Sequence, residues 1–256
     1  MSASAPSPVA LPRLEWGEPA APLRALLVHG LGSSAALMWR FGTELAHEGW
    51  HATAVDLRGH GDAPRALDYS VAAYAGDVAR VRPGDGDAWD VVIGHSLGGA
   101  ASTVAAAADP GWTRRLVLVD PALFVGERDA GIIRRSQERT FADNRIEAVR
   151  EEHPQWHPHD LELKVAAVAR ASRWAVEQTS SQNATWDVRD AARRLRVPTH
   201  VLGADPRVYS LFTGEVAEAV LASNPAITMT IVPGAGHSPH RDKPEDTLRL
   251  LREALR

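Results

Sequence analysis

Five consecutive residues, Gly94-His95-Ser96-Leu97-Gly98, read G-x-S-x-G and stand directly after the apolar run Asp90-Val91-Val92-Ile93 and directly before the small, helix-forming run Gly99 to Ala108. A serine on such a sharp strand-to-helix turn takes a strained backbone conformation, and the flanking glycines leave room for neighbouring backbone to come close. The turn lifts the Ser96 hydroxyl clear of the sheet and aims the Leu97 N–H, at the helix start, toward a developing oxyanion. A second donor is expected from another strand-to-helix loop. His29-Gly30-Leu31-Gly32 follows Leu26-Leu27-Val28, which makes the Leu31 N–H the candidate.

Composition narrows the chemistry further. The 256 residues contain no cysteine, which excludes disulfides, thiolate-ligated metal centres and a cysteine nucleophile. The net charge of −4 carries no basic footprint for nucleic acid or anionic lipid, and no apolar run is long enough to span a bilayer. The expectation is a cytoplasmic protein acting on a small molecule, without nucleic-acid or membrane partners. Of 28 basic residues only Lys164 and Lys243 are lysine, a bias that suggests a GC-rich bacterial genome.

The elements that must position these groups alternate along the chain. Short runs apolar on both faces, the pattern of strands buried between helix layers, occur at Arg24 to His29, His51 to Leu57, Asp90 to Gly94, Leu116 to Asp120 and Pro198 to Gly203, with a further strand at Ile227 to Val232. Leu14 to Gly17 is a candidate antiparallel edge strand. Helices are expected over Ser33 to Glu48, Val71 to Val81, Leu97 to Asp109, Tyr209 to Ser223 and Pro244 to Leu255. The alternation predicts an α/β protein with a doubly wound, mostly parallel sheet of about seven to eight strands. It breaks between Phe124 and Leu195, where only helical patterns appear, with equal numbers of acidic and basic residues and no charge bias that would select an ionic substrate. Residues 1–12, rich in Ser, Ala and Pro, are expected to form a flexible tail.

The G-x-S-x-G turn, the His29-Gly30-Leu31-Gly32 loop and Asp56-Leu57-Arg58-Gly59-His60-Gly61 after the next strand resemble the α/β-hydrolase fold superfamily, over nearly the whole chain. The resemblance implies a core of residues 13–122 and 196–256, with 123–195 as a helical cap inserted after strand 6. It also implies a relay running Ser, acid, His along the chain. Gly234-Ala235-Gly236-His237-Ser238-Pro239 is similar to the family's G-x-G-H signature. This marks His237 as the group that takes the Ser96 proton and returns it to the leaving group, a task for a side chain titrating near neutrality. His240 is the competitor, expected at the surface near Arg241 and Asp242. Asp205, in Gly203-Ala204-Asp205-Pro206, holds the family's usual place for the acid; Asp120 holds a place some relatives use instead. Position favours Asp205.

His29, His60 and His95 sit in glycine-rich turns and read as hydrogen-bonding scaffold. His153, His157 and His159 invite a metal, but Pro154 and Pro158 break the helical spacing that ligands would use. Within the cap, Phe124, Phe141, Trp156, Trp174 and Trp186 are available as pocket walls, and Trp156 and Trp174 are the preferred substrate-binding candidates. The function expected is hydrolysis of a small, fairly apolar carboxylic ester or lactone through an acyl-enzyme on Ser96, with no cofactor and no metal. Amides and thioesters suit the same groups. The alternatives are other reactions the superfamily runs on this scaffold, carbon–carbon bond hydrolysis or cyanohydrin cleavage, and a ligand-binding receptor with vestigial hydrolysis.

Overall fold

The computed structural model describes residues 7–84 and 88–256. Its strands are β1 (Arg13–Trp16), β2 (Leu23–Val28), β3 (Trp50–Val55), β4 (Val91–His95), β5 (Leu116–Val119), β6 (Phe124–Val125), β7 (Trp186–Asp187), β8 (Thr199–Gly203) and β9 (Ile227–Ile231). Seven of them form one sheet in the order β1-β3-β2-β4-β5-β8-β9, parallel except for β1, which pairs antiparallel with β3 as the edge strand expected from Leu14 to Gly17. All neighbours in this sheet except that pair run in one direction, so every functional loop leaves from the same edge.

Alternate side chains of the central strands serve two cores. Leu26, Val28, Val92, Leu116 and Leu118 pack on one face, against α2 (Val71–Ala79) and α3 (Leu97–Ala108). Ala25, Leu27, Val91, Ile93, Val117 and Val119 pack on the other, against α1 (Trp39–His47) and the C-terminal helix Pro244–Leu255. A strand buried on both faces cannot alternate polar with apolar residues, which is why these runs are continuously hydrophobic.

With seven strands, the helical segment departs after the fifth strand in chain order, the Leu116–Val119 run marked in the sequence. It contains α4 (Glu127–Ala142), α5 (Ile146–Glu152), α6 (Pro158–Arg170) and α7 (Arg173–Gln182), followed by the short α8 (Arg189–Arg193). Only helical patterns are legible there, yet two two-residue strands, β6 and β7, pair antiparallel at its entrance and exit. Such short ladders carry too little periodicity to be read. The remaining helices are α9 (Gly214–Ser223), α10 (Pro239–Asp242) and α11 (Pro244–Leu255). Among the described residues no helix is long and apolar enough to cross a membrane.

Two expectations need correction. Residues 1–6 of the expected flexible tail lie outside the described residues, but 7–12 are docked: Val9 N–H donates to Asp77 Oδ1 at 2.7 Å, Leu11 packs on the core and the Pro12 carbonyl accepts from Asp56 N–H at 3.1 Å. The buried Arg58–Asp77 ion pair (2.7 Å) has bonding capacity left over, and the segment's backbone fills it, with the Ser7 carbonyl accepting from Arg58. The helix expected from Tyr209 begins only at Gly214, because the preceding backbone is committed to Asp120.

Candidate active site

Ser96 follows β4, the middle strand of the sheet, beside the point where the chain's connections switch from one side of the sheet to the other between β2 and β4. Open α/β sheets bind ligands at this place. Its backbone angles, φ 53° and ψ −117°, lie in a region that L residues avoid. A side chain at Gly98 would strike the carbonyl oxygens of Val28 and His29, and one at Gly94 would come within 2.7 Å of the Gly98 carbonyl oxygen. The two glycines of the motif are therefore steric requirements for packing α3 against β2 and β4.

The Ser96 hydroxyl donates to His237 Nε2 at 2.9 Å, and His237 Nδ1–H donates to Asp120 Oδ2 at 2.6 Å. Asp120 is fully buried, and three more donors converge on it: Ser210 Oγ–H at 2.6 Å, Leu211 N–H at 3.0 Å and Phe212 N–H at 3.3 Å. Its own φ is 37°; among the described residues Ser96 and Asp120 are the two non-glycine positions with positive φ. Left-handed backbone costs about 1–3 kcal/mol per residue and persists only where the surroundings impose it.

The structure corrects the expected acid. Asp205 is buried at the end of β8, but its carboxylate accepts from Arg207 (2.8 and 3.0 Å), from Arg207 N–H (3.0 Å) and from Gly234 N–H (2.8 Å), not from His237. The Arg207 guanidinium, then the Gly234 and Arg207 amides, hold this carboxyl well below the usual carboxylate range. Because Gly234 lies three residues before His237, Asp205 braces the histidine loop instead of facing the imidazole.

The other histidines behave as scaffold, with one exception in placement. His29 Nε2 accepts from Leu57 N–H at 3.0 Å, and His60 Nε2 accepts from Gly32 N–H at 3.1 Å. Burial pushes His29 down to about 4 and His60 to about 3, so both are neutral acceptors that tie neighbouring loops together. His95 Nε2–H donates to the His237 carbonyl at 2.8 Å and fixes the backbone of His237. His240, expected at the surface, is fully buried against Phe41 and His95, because the turn after Pro239 points inward; burial drives it well below its ordinary value. His153 stacks flat on Trp156 (3.7 Å, 4°), His157 caps α6, and among the described residues no cluster of three potential metal ligands forms.

Ser96 and His237 open into a cleft of about 980 Å³ between the strand ends and the helical segment. Leu31, Leu97 and Trp156 line it, as expected of them by position. No hydrogen bond to the Leu31 or Leu97 amide occurs among the described residues, so both N–H groups beside Ser96 are available to an incoming oxygen. Trp174 does not reach the cleft: it is 44% exposed and meets the Tyr69 ring edge-on at 5.5 Å. Trp186 lines the cleft in its place, its Nε1–H donating to the Ala122 carbonyl at 2.7 Å. Lys164 and Arg241 also line it, and sequence reasoning passed over both. The one available signal was Lys164 itself, a rare lysine followed by the apolar run Val165-Ala166-Ala167-Val168.

Comparison with known proteins agrees with this architecture. A model of the alpha/beta hydrolase family matches residues 25–250, and the chain belongs to that family. Lipase LipV of Mycobacterium tuberculosis is 36% identical over 105 residues, 41% of this chain and 40% of that protein, so the chain spans about two fifths of the length of this curated relative. Among solved structures, E-2-(acetamidomethylene)succinate hydrolase superposes with a TM-score of 0.80 at 24% identity, covering 96% of this chain and 95% of that one. A thermophilic esterase from Thermogutta terrifontis, malate bound, gives 0.75 at 24% identity, covering 96% and 93%. These likenesses are to hydrolases of the same fold.

Proposed function

We propose that the protein is a serine hydrolase that cleaves a carboxylic ester through an acyl-enzyme on Ser96. The observation that carries this reading is the unbroken hydrogen-bonded chain from Ser96 Oγ through His237 to Asp120 at the floor of the cleft. The lipase among the relatives supports an ester over other acyl substrates.

His237 Nε2 takes the hydroxyl proton as Ser96 Oγ bonds to the ester carbonyl carbon, and Asp120 stabilises the imidazolium that results. The carbonyl oxygen, now an oxyanion, accepts from the Leu31 and Leu97 N–H groups, each worth about 2.7–4 kcal/mol in such a site. The bond to the alkoxy oxygen breaks and the leaving alcohol receives the proton from His237. Water then loses a proton to His237 as its oxygen attacks the acyl carbon; the acyl–Ser96 bond breaks, the acid departs and Ser96 recovers its proton. Residues 123–195 serve as a cap over this chemistry and supply the Trp156 wall.

A fluorophosphonate is expected to label Ser96 alone, and p-nitrophenyl butyrate to be turned over by wild type and not by Ser96→Ala, with kcat down by a factor on the order of 10⁶. Labelling at another residue of active enzyme, found by peptide mass spectrometry, would overturn the assignment.

A further inference from the structure

Among the described residues, two cations that border the same cleft form no ion pair with a carboxylate. Arg241 is only 5% exposed, yet among the described residues its one side-chain hydrogen bond is from Nε–H to His240 Nε2 at 3.2 Å, and its guanidinium lies 4.8 Å from the Trp156 ring centroid. The acids nearest to it are committed elsewhere. Asp160 accepts from Arg40 (2.7 and 3.1 Å) and from Trp39 Nε1–H (2.8 Å). Asp242 accepts from Trp156 Nε1–H (2.7 Å), Gln155 (3.2 Å) and Gly236 N–H (2.8 Å). Lys164 Nζ spends one of its three donors on the Gly32 carbonyl at 3.1 Å, next to the Leu31 amide. The Ser33 hydroxyl, on the same loop and lining the same cleft, is buried and has no hydrogen-bond partner among the described residues.

A buried guanidinium is normally paired, since taking an uncompensated charge out of water is unfavourable. Here both side chains line the cleft into which Ser96 and His237 open. The remaining acids at the cleft are paired elsewhere or exposed: Asp143 binds Arg145, Glu152 binds Arg139 at 3.4 Å, and Glu151 is exposed. Burial and the nearby Arg241 charge push the Lys164 ammonium down to about 8, against a weaker opposing pull from Glu152.

We infer that Lys164 and Arg241 form a subsite for a carboxylate carried by the substrate, so that the preferred substrate is an ester bearing a free carboxylate. This rests on the hydrolase reading of Ser96. The planar fork of Arg241 and the point charge of Lys164 together suit a carboxylate, which accepts two donors in one plane and a third from the side. The balance of charge across the whole helical segment hides this local asymmetry, because acids such as Glu177 and Asp190 pair at its surface while Lys164 lines the cleft.

The test compares esters that differ only in that charge. On the acyl side, mono-p-nitrophenyl glutarate is set against its methyl-capped diester; on the alcohol side, 4-acetoxybutyrate against its methyl ester. Wild type is expected to favour the carboxylate form in one arm by at least about tenfold in kcat/KM, and the arm that shows it tells which half of the ester carries the charge. Arg241→Gln and Lys164→Met are each expected to collapse that ratio by about tenfold, mainly through KM, with Arg241→Lys retaining part of it. Ratios at or below one in both arms of wild type, a result that needs no variant to fold, overturn the subsite, as does a ratio that survives both substitutions. Calorimetric titration of Ser96→Ala with monomethyl glutarate and with dimethyl glutarate reads the subsite without turnover. Tighter binding of the monoanion there, with no ester cleaved by wild type, would sink the hydrolase reading and leave the subsite standing; ready turnover with equal binding would do the reverse.

Discussion

Asp120 and Asp205 invite comparison because they are so alike by every coarse measure. Each follows a strand of the parallel sheet, β5 and β8, which are neighbours; each is nearly inaccessible, and each accepts several hydrogen bonds. They differ in the chemistry of their donors. Asp120 receives an imidazole N–H, a hydroxyl and two amides, and sits on strained backbone. Asp205 receives a guanidinium and two amides; the Arg207 side chain that supplies the guanidinium is largely exposed, and the backbone of Asp205 is relaxed. Position after a strand therefore does not decide which carboxylate faces His237; here it is the one on the strained backbone.

The sharpest way to break this comparison is to neutralise each carboxylate in turn. Asp120→Asn is expected to lower kcat by about 10⁴-fold with the fold intact, since an amide cannot hold His237 in the required tautomer. Asp205→Asn is expected to cost less than about tenfold in kcat, with a lowered Tm, because it loosens the Gly234 turn without touching the imidazole. Equal losses on the two would dissolve the distinction.

Acid titration of stability supplies the scale for separating structural from chemical loss. His29 and His60 have folded-state values lowered to about 4 and 3 from 6.5, so the unfolded chain binds more protons than the folded chain over that interval. Their contribution is fully present above about pH 6.5 and is lost as the pH falls toward the folded values. Between pH 6.5 and 5 each is expected to cost about 2 kcal/mol of stability. Urea midpoints at the two pH values check this, and His60→Gln should flatten the slope; a flat profile in wild type would contradict the buried neutral histidines.

A smaller effect than that of Asp120→Asn is expected from Ser210→Ala, which removes one of the four donors on Asp120. A hydrogen bond to a charged group is worth roughly 1.5–3 kcal/mol, and with the other donors on Asp120 kept, kcat should fall by about ten- to a hundredfold at constant KM. No change would mean that the hydroxyl merely caps the loop.

Much of this architecture was legible in the chain. The strands, the Ser96 turn and the His237 loop could be read because local patterns determine them: continuous apolar runs for strands buried on both faces, and glycines where neighbouring backbone leaves no room. The acid was not, because Asp120 and Asp205 both follow strands of the sheet, and only the tertiary convergence of Ser210, Leu211, Phe212 and His237 on Asp120 tells them apart. His240 beside Arg241 and Asp242 carries the composition of a surface turn, and its burial depends on where α10 packs. Trp174 and Trp186 are equivalent by composition, and only the chain's path through the helical segment decides which one meets the cleft. Lys164 and Arg241 are far apart in sequence, and no local pattern joins them.

The β6–β7 pair has a consequence for how this molecule can change. Phe124–Val125 and Trp186–Asp187 lie side by side, and Val188 N–H donates to the Leu123 carbonyl at 2.9 Å, so the chain leaves and re-enters the core through one narrow doorway. Hydrogen-bonded strands stand about 5 Å apart, a gap that almost any compact insertion with adjacent ends can close. The helical segment is thus a cassette. Grafting a different one at this doorway would replace the Trp156 and Lys164 side of the cleft while Ser96, His237 and Asp120, all contributed from outside it, keep their register.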